Sequence, residues 1–391
     1  MVRGQISVPV VARVCAVALA AFVSACATAG PPRASARAPT RAPAAVPASH
    51  SSIAGPVGEF NSPDAVAVQG ARVWVANGGG NSVTEINANT GALIRIISAS
   101  RYQLNEPQAI AATGDKVWVL GSNDVSNTAV TEIDAATGAL VRVISASRYQ
   151  INGANAIAAS GNAVWVANFG GGGPNSVTEI DAATGALVRV LQGSRYQFTG
   201  TGAIAASGNA LWVANQASVT EFDAATGALV RVVQGSRYRF SELQEITTSG
   251  NTVWTAASPP GSNGLMTAGV TKAAFTTTEI NAVTGALIRT GSATLPQYAF
   301  GMAADHFGAW LLTNDIEGKS GGQPDGEVAE FSAPTGAPIR ILSPPVVKNM
   351  PGNGAGIAAD EDHIWVTGPD YLAEFSAATG ALIRQIISSG P

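Results

Sequence analysis

The sequence predicts an all-β chain, a seven-bladed β-propeller of four-stranded antiparallel blades, because three markers each recur seven times. The first is a Thr-Gly pair, whose glycines are Gly91, Gly138, Gly185, Gly227, Gly285, Gly336 and Gly380. The second is a single Trp in each repeat: Trp74, Trp118, Trp165, Trp212, Trp254, Trp310 and Trp365. The third is a Glu followed ten residues later by an Arg. Repeats of this length are typical of propeller blades around a central channel.

The third repeat shows how one unit folds. Its predicted strands are Ala156–Ala159, Ala163–Ala167, Ser176–Asp181 and Ala186–Val190. Gly161 and Asn162 form a tight turn between the first two strands, because both residue types accept positive φ angles. No helix-period stretch interrupts the four strands.

The hairpin between the third and fourth strands predicts which side chains face each other. A three-residue loop closed by a left-handed Gly sets the register. In the first repeat the predicted facing pairs are Ala88/Ala92, Ile86/Ile94 and Glu85/Arg95. The other charged pairs are Glu132/Arg142, Glu179/Arg189, Glu221/Arg231, Glu279/Arg289, Glu330/Arg340 and Glu374/Arg384. Opposed charges on one face stabilise a strand pair, so these residues are expected to be structural.

Charge and composition exclude one functional class. Residues 1–58 carry five Arg and no acid, so the remainder holds 22 − 5 = 17 basic against 26 acidic residues, a net charge of −9. A domain this acidic lacks the basic surface of a nucleic-acid binder. The 44 glycines and the 12% of charged residues suit many short strands joined by tight turns.

The N-terminus reads as a secretion signal over residues 1–25. Arg3 and Arg13 precede the apolar stretch Val14–Val23, which is too short for a permanent membrane span. The following Val23–Cys26 resembles the bacterial lipobox, which implies that Cys26 is lipidated and becomes the first residue of the mature chain. Ordinary cleavage nearby, giving a secreted soluble protein, is the alternative. Residues 26–55 are rich in Pro and Ala and predict an extended, lipid-anchored tether before the propeller of residues 56–391.

A family resemblance covers residues 60–387. The segments VWVAN at 164–168 and SVTEIDAATGALVRV at 176–190 resemble the YVTN-type propeller repeat. They are more loosely similar to virginiamycin B lyase and to NHL propellers. The resemblance implies an extracytoplasmic bacterial propeller, often without assigned chemistry, and it does not name a ligand.

Four blade-to-blade loops contain Ser-Arg-Tyr and supply the candidate binding residues. These are Arg101, Tyr102, Arg148, Tyr149, Arg195, Tyr196, Arg237 and Tyr238. Arg and Tyr are enriched at binding surfaces, and an arc of them could hold a carbohydrate or an anionic polymer. The preferred interpretation is nonetheless structural, with each Tyr packed on the next blade and each Arg bonded to loop carbonyls. Recent duplication of repeats two to four could also have copied the motif without any selected use.

Three long insertions make the loop-bearing face asymmetric. They are approximately Ala256–Thr278, Asn314–Glu327 and Ser343–Gly356. Together they could form a lid or a wall for a partner. Their acids match no calcium-loop spacing, so solvated loops are the simpler interpretation.

The sequence offers little for catalysis. His306 and His363 precede second strands, at the short-turn end of the blades and opposite the variable loops, and His50 lies in the tether. The resemblance to virginiamycin B lyase implies a His base beside a metal, and no blade pairs a His with acids on the variable face. No nucleophile elbow, zinc-ligand cluster or phosphate loop occurs. We therefore expect a non-enzyme without cofactor or metal.

These observations predict a monomeric, extracytoplasmic, lipid-tethered propeller that acts as a binding or scaffold module for a cell-envelope polymer or a protein partner. The alternative is a lyase or hydrolase on an extracellular substrate, which requires acids and polar groups to converge at the mouth of the channel. A third reading, a purely structural surface protein, requires a channel filled by Ala and Ile.

Overall fold

The computed structural model describes residues 60–121, 128–145, 147–169, 174–200, 202–259, 272–296, 298–314, 326–342 and 356–388, together with the backbone of residues 52–55. The predicted signal peptide, Cys26 and most of the predicted tether lie outside these residues. The central parts of the three predicted insertions also lie outside them. No helix in the described part of the chain is long and apolar enough to cross a membrane.

Seven sheets of four antiparallel strands follow one another in chain order, which confirms the predicted fold. Blades one and two are β2 (Pro63–Gln69), β3 (Arg72–Asn77), β4 (Ser82–Asn87), β5 (Leu93–Ile97), β6 (Pro107–Thr113), β7 (Lys116–Gly121), β8 (Ala129–Asp134) and β9 (Leu140–Ile144). Blades three and four are β10 (Ala154–Ser160), β11 (Ala163–Asn168), β12 (Ser176–Asp181), β13 (Leu187–Gln192), β14 (Ile204–Ser207), β15 (Ala210–Ala214), β16 (Ser218–Asp223) and β17 (Leu229–Gln234). Blades five and six are β18 (Leu243–Ser249), β19 (Thr252–Ala257), β20 (Lys272–Asn281), β21 (Leu287–Pro296), β22 (Tyr298–Ala304), β23 (Gly308–Asn314), β24 (Gly326–Ser332) and β25 (Pro338–Leu342). Blade seven is β26 (Ile357–Ala359), β27 (His363–Thr367), β28 (Tyr371–Ser376) and β29 (Leu382–Ser388).

The first strand of each blade lies innermost, and these strands encircle the central axis. Each contacts the innermost strand of the next blade, and β26 returns to β2. The ring closes through hydrogen bonds between blades seven and one: Ser62 N donates to Pro369 O at 3.1 Å, and Arg384 Nη2 donates to Asn89 O at 3.0 Å. The sequence did not reveal this closure.

A further strand, β1 (Ser52–Gly55), joins blade seven and corrects the predicted tether boundary. It pairs in parallel with β29, from Ser52 opposite Gln385 to Gly55 opposite Ser388. These four residues were assigned to the tether because the segment carries almost no apolar side chains. Main-chain pairing to the open edge of β29 needs no such side chains, so composition alone misplaced the boundary.

The core lies between blades and is organised around the seven Trp side chains. Each Trp is at most 1% exposed. Trp118 of blade two, for example, packs with Tyr149 of the loop that follows it and with Ile157 of blade three. Trp365 of blade seven packs with Val73 of blade one, so the same contact also closes the ring.

The predicted Glu–Arg register is confirmed in all seven blades. Six pairs have Nε–Oε2 distances of 2.5–2.8 Å, and Glu330 and Arg340 are also paired. The Glu side chains are at most 8% exposed, so the pairs are buried on the carboxylate side. Six of the arginines also reach across to a backbone carbonyl in the hairpin of the next blade, as Arg142 does to Ala183 O at 3.1 Å. The pairs therefore connect blades as well as strands.

The predicted apolar pairs of the hairpin are wrong by one residue. Ile86 lies opposite Leu93 rather than Ile94, because a register shift separates it from Glu85. The same shift follows the Glu of every blade. It keeps Ile86 fully buried and leaves Ile94 38% exposed. Gly91 supplies the left-handed turn with φ of 71°.

Candidate functional site

The four tyrosines of the Ser-Arg-Tyr loops are buried between neighbouring blades. Each lies in a three-residue 3-10 turn, and each is 2–5% exposed. The hydroxyls of Tyr102, Tyr149 and Tyr238 donate to the carbonyl of the hairpin glycine in the following blade at 2.7–2.9 Å. Each tyrosine carbonyl also accepts a hydrogen bond from a Thr in the third strand of that blade. The tyrosines therefore link blades, as their structural interpretation required.

The four arginines of these loops are exposed and lie over the tyrosine rings. Each guanidinium carbon is 4.5–5.0 Å from the ring centroid of its neighbouring Tyr. Each Nη2 donates to the hydroxyl of that Tyr. The expected bonds to loop carbonyls are not among the contacts of the described residues. The loops therefore present positive charge, while their aromatic rings are unavailable to a ligand.

A second polar site lies at the entrance of the central channel, where the innermost strands begin. Five of these strands carry a β-bulge two residues before their buried aliphatic side chain. The extra residues are Asp64, Gln108, Asn155, Gln244 and Phe300. Bulges redirect side chains and are common at barrel rims and active sites. We call this ring the channel mouth; it lies at the end of the blades that carries the blade-to-blade loops.

Two of the bulged residues have a clear structural role. Gln108 donates to Ala154 O of the next blade at 2.8 Å, and Gln244 accepts from Ala299 N of the next blade at 3.1 Å. The amide side chain thus connects one innermost strand to the start of the next. An amide suits this position because it can donate or accept.

Asp64 occupies the same position in blade one and cannot make this connection. The matching residue of the next blade is Pro107, which has no N–H to donate to a carboxylate. Within the described residues Asp64 makes no hydrogen bond or ion pair. Burial, and then the charge of Glu106, raise the pKa of the Asp64 carboxyl to about 7. A Cβ at Gly78 would overlap Asp64 Oδ2, so a larger residue there would displace the carboxylate.

Glu245 is a second carboxyl at the channel mouth without a structural partner. The equivalent residues of the other blades are Ala or Gly: Ala65, Ala109, Ala156, Ala203, Gly301 and Gly356. Its side chain is only partly open to water, and burial raises its pKa to about 7. It forms no hydrogen bond or ion pair in the described part of the chain. The carboxyl is therefore not needed to hold the blades together.

Backbone conformation adds to the unusual character of the mouth. Glu106 and Glu242 have φ of 42° and 49°, where blades three and four have Gly153 and Gly200. A left-handed non-Gly residue is costly, and such residues cluster at functional sites. Asn81 Oδ1 accepts from Glu106 N at 2.7 Å and holds the first of them. The described residues contain no group of three or more potential metal ligands.

The two described histidines lie where the sequence placed them. His363 begins β27 and contacts Asp360 at 3.0 Å and Glu374 at 3.5 Å. It occupies the place that Arg72 and Lys116 occupy beside Glu85 and Glu132. His306 lies in the matching turn of blade six. Both are distant in the blade from the channel mouth, so neither can assist its carboxyls.

Sequence reasoning missed the channel mouth. The signal was present in the residue two positions before the buried aliphatic residue of each innermost strand. In blades one to six this residue is Asp, Gln, Asn, Gly, Gln and Phe. Only the bulges show that these side chains share one rim, because a regular strand would direct them into the blade interfaces.

The two mouth carboxyls should make stability depend on pH. Their folded pKa values lie above the unfolded ones, so their contribution is present below about pH 4 and is lost as pH rises through about 7. We expect Asp64→Asn with Glu245→Gln to raise the free energy of unfolding by about 1–3 kcal/mol at pH 8 and to change it little at pH 4. Urea unfolding at both pH values measures this.

The matched control is Asp115→Asn with Glu361→Gln. It removes the same two charges from exposed turns at the opposite end of the blades. Equal effects of both variants at pH 8 would contradict a local cause and indicate only general charge repulsion.

Comparison with known proteins supports the fold and goes no further. No protein-family model matches the chain, and no curated protein matches it. Hydrazine synthase of Kuenenia stuttgartiensis is similar in structure, with a TM-score of 0.55, 15% identity, and coverage of 89% of this chain and 100% of that one. The RRP9 WD40 repeats give a TM-score of 0.53 at 11% identity, covering 81% of this chain and 87% of that one. The resemblance to the YVTN-type repeat therefore stays a prediction.

Proposed function

We propose that the chain is a binding or scaffold module, tethered by lipid outside the cytoplasm, that contacts a cell-envelope polymer or a protein partner through its channel mouth. The observation that carries this proposal is the pair of carboxyls, Asp64 and Glu245, which form no hydrogen bond or ion pair within the described residues. A half-buried charge without a partner destabilises a fold. Contact with a ligand would explain why these two carboxyls are present. Gln108 and Gln244 lie on the same rim, and each uses only one end of its amide for its inter-blade bond, which leaves polar atoms for a ligand.

The test compares two variants that carry the same change of charge. The first is Asp64→Asn with Glu245→Gln, and the second is Asp115→Asn with Glu361→Gln at the opposite end of the blades. The full chain is tested against isolated peptidoglycan sacculi and, separately, against detergent-extracted envelope proteins. We expect the mouth variant to lose about tenfold in affinity for one of these probes, which is about 1.4 kcal/mol.

The outcomes of this comparison distinguish a polymer ligand, a protein partner, a contact elsewhere on the propeller and the absence of a binding role. Binding to sacculi identifies a polymer, and binding to the extract identifies a protein partner. Unchanged binding of the mouth variant would move the contact elsewhere on the propeller. Failure of the parent chain to bind either probe would overturn the binding role itself.

The membrane link is a separate part of the proposal. Cys26, in a lipobox-like sequence, is the proposed acylation site, and the other Cys of the chain, Cys15, lies within the predicted signal peptide. We expect Cys26→Ser to release the chain into the medium and the parent to incorporate labelled palmitate. A Cys26→Ser chain that stays in the membrane fraction, with no label in the parent, would contradict lipidation.

A lyase or hydrolase is the second candidate because the mouth carries a carboxyl whose pKa is raised far above its ordinary value. A carboxyl with a pKa near 7, as at Asp64, suits a general acid or base. This candidate predicts turnover of an envelope polysaccharide that Asp64→Asn abolishes while binding survives. Absence of turnover by the parent chain would remove it.

A further inference from the structure

The Ser-Arg-Tyr loops present four exposed guanidinium groups that have no carboxylate partner among the described residues. Arg101, Arg148, Arg195 and Arg237 are exposed, and none forms an ion pair with a carboxylate in the described part of the chain. Most other basic side chains of the described residues are paired, since each blade's Glu binds the Arg opposite it; Arg239, exposed two residues after Arg237, is the exception. We name these four guanidiniums the arginine arc, since they lie on the first four consecutive blades.

Each guanidinium of the arc is oriented before any ligand arrives. The flat group lies 4.5–5.0 Å from a buried ring and uses one N–H to reach the hydroxyl of that ring. An Arg has five N–H donors in a planar fork, so most of them stay available. A guanidinium already held in place by the ring loses less conformational freedom on binding than a mobile Lys side chain. It can also donate two parallel hydrogen bonds to one carboxylate or phosphate group.

The fold does not require these arginines. The hydroxyls of Tyr102, Tyr149 and Tyr238 already donate to a hairpin carbonyl, so they stay satisfied when the Arg is removed. Blades five to seven contain no Ser-Arg-Tyr, and the hairpins that follow them form with the same glycine geometry at Gly336, Gly380 and Gly91. Interaction with the tyrosine thus explains the position of each Arg. It does not explain why an Arg occurs at this position in four loops, because the fold does not need it.

We propose that the arginine arc binds a linear polyanion whose oxyanions are carboxylates or phosphates repeated along the chain. A single exposed Arg–oxyanion contact is weak. Four contacts on consecutive blades act together, because binding at one blade raises the effective concentration of the polymer at the next. The net charge of −9 on residues 59–391 repels such a polymer elsewhere, so the arc is the favoured contact. This inference rests on the proposed binding role but uses a different surface from the channel mouth.

The test uses three variants of the full chain. The arc variant changes all four arginines to Gln. The charge control changes Ala274, Ser292, Ala337 and Ala378 to Glu, which alters net charge by the same −4 at exposed positions of blades five to seven, where no Ser-Arg-Tyr loop occurs. The geometry control changes the four arginines to Lys, which keeps the charge and removes the planar fork. The probes are polygalacturonate for carboxylates and poly(glycerol phosphate) for phosphates, each immobilised and measured at 50 and 200 mM NaCl.

We expect the parent to bind one probe with an affinity that falls at least tenfold between the two salt concentrations, as multiple ionic contacts require. The arc variant should lose tenfold or more at low salt. The charge control should stay within threefold of the parent, and the Lys variant should fall between them. The probe that binds identifies the source of the oxyanions.

Other results would overturn the inference. Equal losses in the arc variant and the charge control would mean that overall charge, and not the arc, governs binding. The same holds if the parent binds neither probe. If the arc variant binds the polyanion as tightly as the parent does, the arc fails, while the channel-mouth proposal, which is tested on sacculi and envelope proteins, stands. Unchanged urea midpoints for all variants verify that they fold.

Discussion

Replacing Arg231 by Met is expected to lower the free energy of unfolding by about 2–4 kcal/mol at pH 8, because it leaves a buried carboxylate without its cation. Arg231 Nε lies 2.6 Å from Glu221 Oε2, and the Glu side chain is only 8% exposed. Arg231 also donates to Val283 O of the next blade at 2.9 Å. The double variant with Glu221→Gln should recover at least half of the loss. Urea unfolding of the four chains of this cycle measures the coupling.

The same experiment at pH 5 tests the cause. Burial raises the pKa of Glu221 while Arg231 lowers it, so removing the Arg lets the pKa rise further. The penalty of the single variant is then present above that folded pKa and disappears as the carboxyl is protonated at lower pH. The loss should therefore be clearly smaller at pH 5 than at pH 8.

Lys272→Met is the matched control for this pair. Its partner Glu327 is 14% exposed and the Lys is 47% exposed, so the loss should be below about 1 kcal/mol. Similar losses at Arg231 and Lys272 would show that the blade pairs behave as surface pairs, contrary to their burial.

Tyr149→Ala is expected to lower the free energy of unfolding by about 3–5 kcal/mol, the usual cost of emptying the site of a buried aromatic ring. Tyr149 is 4% exposed, and its hydroxyl bonds to Gly185 O at 2.7 Å. Tyr149→Phe should cost about 1 kcal/mol, since it removes one hydrogen bond. Thermal and urea unfolding measure both.

Arg148→Gln provides the contrast within the same loop. Its loss should stay within about 1 kcal/mol, because the Arg is exposed and its contact with the ring is a surface interaction. A loss as large as that of Tyr149→Ala would make the Arg structural and weaken the case for the arginine arc. The pair of variants thus separates the two halves of a motif that the sequence presents as one.

The limits of sequence reasoning are clearest where side chains from different blades meet. Opposed charges ten residues apart predicted Glu179 opposite Arg189 correctly, because a short hairpin determines the pairing of its own strands. The burial of that Glu was missed, since it depends on the blade packed over it. The channel mouth was missed for the same reason, because Asp64 and Glu245 share a rim only after the ring has closed.

The sequence by itself determined the number of blades, the four strands of each, the hairpin glycines and the Glu–Arg pairs. All of these rest on local periodicity within about 45 residues, where repetition makes the pattern unmistakable. The tertiary structure alone decided that β1 joins blade seven, that the loop arginines lie over their tyrosine rings, and that Asp64 has no partner among the described residues. These depend on contacts between residues far apart in the chain, whose geometry follows from ring closure and inter-blade packing rather than from the period of the repeat.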